Sequence, residues 1–300
     1  MLDRLVEVLG GPASIWFLVG AYFGMVLGER IFYTLARRGQ YNDGDALCSI
    51  GLNLMNSIIG IAVGFALPFA ASVWLYDNAR LFTIDAVWLA FIIAFVFHEL
   101  AYYWEHGLGH RVGLFWAFHS IHHSSNEFNH STAARGFYLD GKLQITGAIA
   151  ASMLGVSPMA YLAIVVVKSA FGIWNHASYA GDLGWMEKVF ATPRNHMVHH
   201  ANQPKYIDKN YSQVLILWDR LFGSFHPYEE RPVVGLVKKI HDNNPLTAQF
   251  AGIQKLLERM ATADKWADKL AYLYRPPEWS HDGICRSDCP KHKVPIVPAE

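Results

Sequence analysis

Charged residues are scarce in this 300-residue chain. Asp, Glu, Lys and Arg together make up 17% of it, where a soluble domain carries about 25%. Hydrophobic residues make up 52%, and mean hydropathy is positive at +0.15. A chain this short of solvated side chains is expected to be a membrane protein. An excess of either sign is missing too, since 25 basic residues balance 25 acidic ones, and nothing here suits nucleic acid as a partner. Cysteine is nearly absent. Cys48 lies in an apolar segment, and only Cys285 and Cys289 are close together. That excludes a disulfide framework and predicts a reducing compartment. The opening MLDRLVEVLGG has no basic start, apolar run and small-residue cleavage site in that order, so no removable signal peptide is expected. Internal repeats and low-complexity tracts are also missing.

What the chain has is apolar length. Residues 14–33 could cross a bilayer core of about 30 Å at 1.5 Å per residue. Residues 46–76 are longer, and Pro68 is expected to kink or end their helix. Residues 82–104 form a third block. A fourth, 143–174, is interrupted by Gly155 and Pro158 and reads as two short helices that enter and return. Arg30, Arg37 and Arg38 follow the first block and assign that end to the cytoplasm. Counting spans then brings residues 106–130 and 195–200 to the same side. The expected fold is all-α: an integral-membrane helical bundle with a helical domain on its cytoplasmic face. Three regions follow: transmembrane helices over 1–94, a histidine-bearing domain over 95–226 that includes the membrane hairpin 143–174, and a C-terminal helix and tail over 227–300. Residues 246–274 repeat apolar positions at spacings near three and four, as an amphipathic helix does. That face covers the cytoplasmic domain or, alternatively, lies on the membrane surface.

The fifteen histidines are not scattered. His106 and His110 form HxxxH, an i,i+4 pair on one helical face. His119, His122 and His123 form HxxHH, again expected on one face, and His196, His199 and His200 repeat it. His176 stands alone after the fourth block. Such crowding beside apolar segments predicts metal binding, because imidazole suits iron, zinc, copper and nickel. Eight clustered imidazoles exceed the four-coordinate shell of structural zinc. They suit two metals with about four ligands each and open positions, and an all-nitrogen set favours redox iron with dioxygen. His130, His226 and His241 read as ordinary hydrogen-bonded or surface residues. The tail pattern of His281, Cys285, Cys289 and His292 has no common zinc spacing and reads as a loose end.

HELAYYWEHGLGH, FHSIHHSSNEFNHSTAAR, NHASYAGDLGWMEKVFATPRNHMVHH and DKNYSQVLILWDRLFGSF together resemble the fatty acid hydroxylase/sterol desaturase superfamily, over roughly residues 95–226. Details such as HHSS and DKNY resemble most its alkylglycerol monooxygenase branch. The resemblance implies a membrane di-iron oxygenase: two Fe ions, O2, and an external electron donor, either a tetrahydropterin or a small electron-transfer protein. It implies His106, His110, His119, His122, His123, His176, His196, His199 and His200 as metal ligands at the cytoplasmic membrane face. His98, two helical turns before His106 on the same face, is a candidate supporting residue. Carboxylates commonly orient ligating imidazoles, which makes Asp208 and Glu105 the leading candidates, with Glu99 and Asp219 behind them. Tyr102, Tyr103 and Trp104 read as interfacial anchors. Gly107 and Met197 depart from the family, standing where many relatives have arginine, and Gly136-Phe137 lacks a histidine seen in several sterol-acting relatives. The implied activity is hydroxylation of an unactivated C–H bond of a membrane lipid, with an alkylglycerol ether lipid first. A sterol, fatty-acyl or carotenoid hydroxylase or desaturase is the alternative. A non-catalytic metal-binding protein, or a transporter or haem carrier with ligands near the midplane, fits the placement of clusters after spans less well.

Overall fold

The computed structural model describes residues 12–36, 41–63, 66–140 and 145–284. Arg37, Arg38, Cys285, Cys289 and His292 lie outside these. Every regular element described is helical, with two isolated bridges, Phe190–Leu215 and Ala201–Val234.

The first apolar block forms α1 (Pro12–Ala36), and the second forms α2 (Asp43–Val63) and α3 (Ala66–Ala79). Pro68 falls in the first turn of α3, where its missing N–H costs no helical hydrogen bond. α4 (Val87–Arg111) starts later than residue 82 because the preceding segment is tied elsewhere. The Leu81 N–H donates to the Met153 carbonyl (2.7 Å), and Phe82 O sits where a Cβ on Gly155 would be, at 2.2 Å. Gly155 therefore has to be glycine, and its φ of +96° confirms the need. Among the described helices, α4 alone is long and apolar enough to cross a membrane by length and composition.

The fourth block is two helices, as its Gly and Pro predict: α6 (Thr146–Met153) and α7 (Pro158–Trp174), with the short α5 (Gly113–His119) preceding them in the chain. Ser157 caps α7 by accepting from the Ala160 N–H (3.1 Å), with Pro158 in the first turn. α4 is the hub, packed against α5, α6 and α7, while α1 lies on α7.

Two fully buried ion pairs latch these pieces. Arg135 Nη1 lies 2.7 Å from Asp45 Oδ2, joining the loop after the second histidine motif to α2. Lys168 Nζ lies 2.5 Å from Glu99 Oε1, joining α7 to α4. Charges are removed from water only where partnered, so each pair fixes where its helices meet.

After α8 (Pro193–His199) and α9 (Leu217–Phe222), the C-terminal pattern is broken in two: α10 (Pro245–Ala261) and α11 (Trp266–Tyr274). One continuous helix over 246–274 is therefore not formed. The two pieces fold back over α5, with the Gly113 N–H donating to Arg275 O (3.0 Å) and Gly252 pressed on Ala117 O. The buried face of α10 is made of small residues, Ala248, Ala251 and Gly252, with Leu256. The larger Leu246, Phe250, Leu257, Trp266 and Leu270 point outward. So do Trp16, Phe17, Leu27 and Leu35 on α1 and Trp88 and Ile92 on α4.

Candidate metal centre

All nine histidines of the motifs converge into two adjacent groups. His106, His110, His119, His123 and His199 form the first, and His122, His176, His196 and His200 the second. Within each group the candidate ligand atoms lie within 4.8 Å of one another. The groups touch: the His123 and His200 rings are 4.5 Å apart.

HxxHH does not deliver three imidazoles to one place. α5 ends at His119, and His122–Ser124 is a separate 3-10 turn. His119 and His123 go to the first group and His122 to the second. In the third motif His196 and His200 go to the second group and His199 to the first. The i,i+4 pair shares a centre while the i+3 residue crosses over. At 3.6 residues per turn, i+3 falls about 60° to one side of i and i+4 about 40° to the other, so each HxxHH bridges both centres.

Four of the outer nitrogens are committed to backbone carbonyls. His106 Nδ1 donates to Tyr211 O (2.6 Å), His122 Nδ1 to Arg135 O (3.0 Å), His176 Nδ1 to Gly172 O (2.9 Å) and His199 Nδ1 to Lys209 O (2.9 Å). A carbonyl can only accept, so these contacts place the proton on Nδ1 and leave the Nε2 lone pair facing inward. His119 Nδ1 meets Asp140 Oδ2 at 3.0 Å. The inward Nε2 atoms then crowd together: His106 to His119 at 3.0 Å, His123 to His119 at 3.2 Å, His196 to His176 at 3.2 Å and His200 to His196 at 3.1 Å. Nε2 of His110 and of His199 is buried with no hydrogen-bond partner. Buried lone pairs aimed at one another are stabilised by a cation between them, so the donor set fits metal ions.

Electrostatics agree. Burial, followed by neighbouring histidines such as His200 for His123 and His122 for His176, holds the His123, His176, His196, His199 and His200 imidazoles well below their ordinary range. Burial, then His119, takes His122 down to about 4. Neutral imidazole is the metal-binding form. A histidine whose folded pKa lies below its unfolded value of about 6.5 binds its proton more readily unfolded. Stability from these groups is thus present above about pH 6.5 and lost as pH falls toward the folded values. Chelator-treated protein is expected to lose thermal stability steadily from pH 7 to pH 4.5 in melting experiments, and a flat profile would contradict it.

The supporting residues divide. Asp208 Oδ1 is 3.6 Å from His110 Nδ1. Glu105 accepts from Thr146 Oγ1, and His98 Nδ1 meets Lys168 Nζ at 2.6 Å; neither partner is one of the nine histidines. Glu99 accepts from the Leu215 N–H (2.8 Å) beside its ion pair. Asp219, fully buried, accepts from the Tyr211 and Ser212 N–H groups (2.8 and 2.9 Å) and from Ser224 Oγ (2.6 Å). It holds the DKNY segment, in which Asp208 and Asn210 take positive φ values of 60° and 55°. That segment presents the Lys209 and Tyr211 carbonyls to His199 and His106. His130 Nδ1 donates to Ile173 O (2.9 Å) and stands outside both groups. Asp140 is the partner that sequence reasoning missed; its one signal is being the only carboxylate residue between Glu127 and Asp182.

Two openings reach the histidines. A cavity of about 330 Å³ is lined by Leu18, Val19, Tyr22 and Phe23 of α1, Asn53 and Ser57 of α2, and Ile173, and it ends on His122, His176 and His196 of the second group. A smaller pocket of about 50 Å³, lined by Trp116, Asp208 and Glu278, ends on His110, His123 and His199 of the first.

Residues 91–224, which hold all nine histidines, match the fatty acid hydroxylase family. The chain carries a fatty acid hydroxylase domain. Over most of its length it is similar to alkylglycerol monooxygenases. It is 28% identical to that of Danio rerio over 86% of this chain and 58% of the relative, and 31% identical to that of Homo sapiens over 78% and 53%. The chain thus spans little more than half the length of these relatives. It is also 27% identical to the ornithine lipid hydroxylase OlsE of Rhizobium tropici, over 75% of this chain and 72% of the relative. No solved structure matches it. The fatty acid hydroxylase domain starts within α4 and ends just after α9, so α1 and α2, which line part of the larger cavity, lie outside it, as do α3 and the α10–α11 cover.

Proposed function

We propose that this protein is a membrane-bound oxidoreductase that uses two iron ions, dioxygen and an outside electron donor to hydroxylate a C–H bond of a lipid, with an alkylglycerol ether lipid as substrate. The observation that carries the reading is the cavity between α1, α2 and α7, with Leu18, Val19, Phe23 and Ile173 along its wall, which ends on the second histidine group. A lipid chain can lie there with one carbon against the histidines. The outward apolar residues of α1 and α4 support placement in a bilayer, and the exposed stripe of α10 and α11 suits the bilayer surface. The histidine face is then cytoplasmic by the Arg30 end of α1.

The nine histidines would hold the metals, five at one position and four at the other. Bound there, the iron pair supplies reductive activation of dioxygen. The chain's own residues do the rest. The Tyr211, Lys209, Arg135 and Gly172 carbonyls and Asp140 keep the His106, His199, His122, His176 and His119 imidazoles oriented. Leu18, Val19, Phe23 and Ile173 exclude water from the lipid carbon. The smaller pocket, facing the other group, gives an electron donor its own approach. Hydroxylation at an ether α-carbon gives a hemiacetal that collapses to an aldehyde and an alcohol.

The test pairs metal content with lipid turnover. Protein purified anaerobically should carry close to two iron ions per chain, and its membranes should release fatty aldehyde from added alkylglycerol. Consumption of a sterol or free acyl chain instead would move the substrate to the other lipid classes, and full turnover without iron would overturn the metal assignment.

A further inference from the structure

At the histidine end of the larger cavity, two amide side chains line the wall. Asn175, 1% exposed, directly precedes His176 at the end of α7, and its Nδ2 donates to the Gln213 carbonyl (2.8 Å). That contact settles which end of the amide is nitrogen, since a carbonyl accepts only from N–H. Asn175 Oδ1 is then a buried acceptor without a partner in the chain. Gln213 Oε1 is another, and both residues line the cavity with His176 and His196. Gln213 Nε2 lies against Gly172, where a Cβ would come within 2.8 Å of it, so the small residue makes room for this amide. The Gly172 carbonyl is the one that orients His176. Asn175 therefore follows directly on the backbone that sets His176, and Gln213 packs against it.

A buried acceptor left unpaired costs free energy, and neither amide is needed where it stands for packing alone, since an apolar side chain would line a purely hydrocarbon passage better. We infer that Asn175 and Gln213 are specificity-determining residues that accept hydrogen bonds from a donor group, O–H or N–H, on the lipid, a few bonds from the carbon held at the second histidine group. This rests on reading the cavity as the lipid site. The acceptors favour a lipid with a polar donor close to the reacting carbon over a plain hydrocarbon or a fully etherified one. A hydroxyl and an amide N–H share this chemistry.

The test uses the full chain in detergent, with a monoalkylglycerol, the same lipid with its hydroxyls O-methylated, and an N-acyl amide lipid that has no hydroxyl. Binding to metal-free and iron-loaded protein is measured beside turnover. The native protein should bind the hydroxyl lipid about tenfold more tightly than its methylated form, as one buried hydrogen bond predicts. Gln213→Met, which keeps the volume and removes the acceptor, should shrink that preference to within about threefold by raising KM more than it lowers kcat. Gln213→Glu, which keeps an acceptor, should restore it. Tighter binding of the amide lipid than of the hydroxyl lipid would assign the donor as N–H. Equal binding of hydroxyl and methylated lipids by the native chain, or an undiminished preference in Gln213→Met, overturns the inference. Discrimination in binding without any turnover would instead leave it standing and count against the proposed reaction.

Discussion

A His119→Ala chain is expected to bind one metal ion fewer than the native chain and to turn over no lipid. His119 is the convergence point of the first group: its Nε2 faces Nε2 of His106 at 3.0 Å and of His123 at 3.2 Å. Alanine removes the one imidazole that both others face. The second group, on His122, His176, His196 and His200, is untouched, while the first loses both of its close Nε2 pairs, so the loss should be one equivalent rather than two. Asp140→Asn is the graded companion. Burial works to raise the Asp140 carboxyl, but His119, through charge and hydrogen bond, with His122 and His106, holds it below its ordinary value. It stays ionised as the acceptor for His119 Nδ1. The amide should weaken metal affinity by about 10–100-fold, as loss of a residue orienting a ligand typically does. Metal analysis and competitive chelation measure both. Two equivalents retained in His119→Ala would break the division into five and four.

The histidine set was legible because spacing on helices is legible. HxxxH and HxxHH have to place imidazoles on near faces, and the chain folds around that demand. The division of each HxxHH between two centres was not, because it depends on where α5 stops: His119 closes one helix and His122 opens a 3-10 turn. The supporting shell was largely hidden for a different reason. Four of the contacts that orient imidazoles come from backbone carbonyls, those of Arg135, Gly172, Lys209 and Tyr211, and a carbonyl leaves no mark on residue identity. DKNY stood out as a motif, yet its work is done by main chain bent through positive φ at Asp208 and Asn210 and pinned by Asp219. The helix break at Gly155 and Pro158 was legible from residue type. The break between α10 and α11 was not, since the apolar period continues across it and only contact with Gly113 and Ala117 of α5 decides it.

Replacing Lys168 with methionine should be the most damaging change outside the two histidine groups. Lys168 is 1% exposed on α7, and its Nζ lies 2.5 Å from Glu99 Oε1 on α4. It also meets His98 Nδ1 at 2.6 Å and faces the Tyr102 ring at 5.3 Å. Methionine fills similar space but leaves the Glu99 carboxylate buried without its cation, a change that costs about 3–5 kcal/mol. Glu99→Gln in the same chain removes the stranded charge and should recover much of that loss, because the penalty belongs to the unpaired partner rather than to the pair. The consequence for the histidines is specific. Glu99 Oε2 also holds the Leu215 N–H, just before α9, which carries the Asp219 that pins Tyr211 and so the carbonyl on His106. α7 itself leads into Asn175 and His176. Lys168→Met should therefore lower both thermal stability in detergent and the metal retained during purification, and the double variant should restore both. Full metal content and native melting in the single variant would show that this pair is not what joins the helix of His106 and His110 to the helix leading to His176.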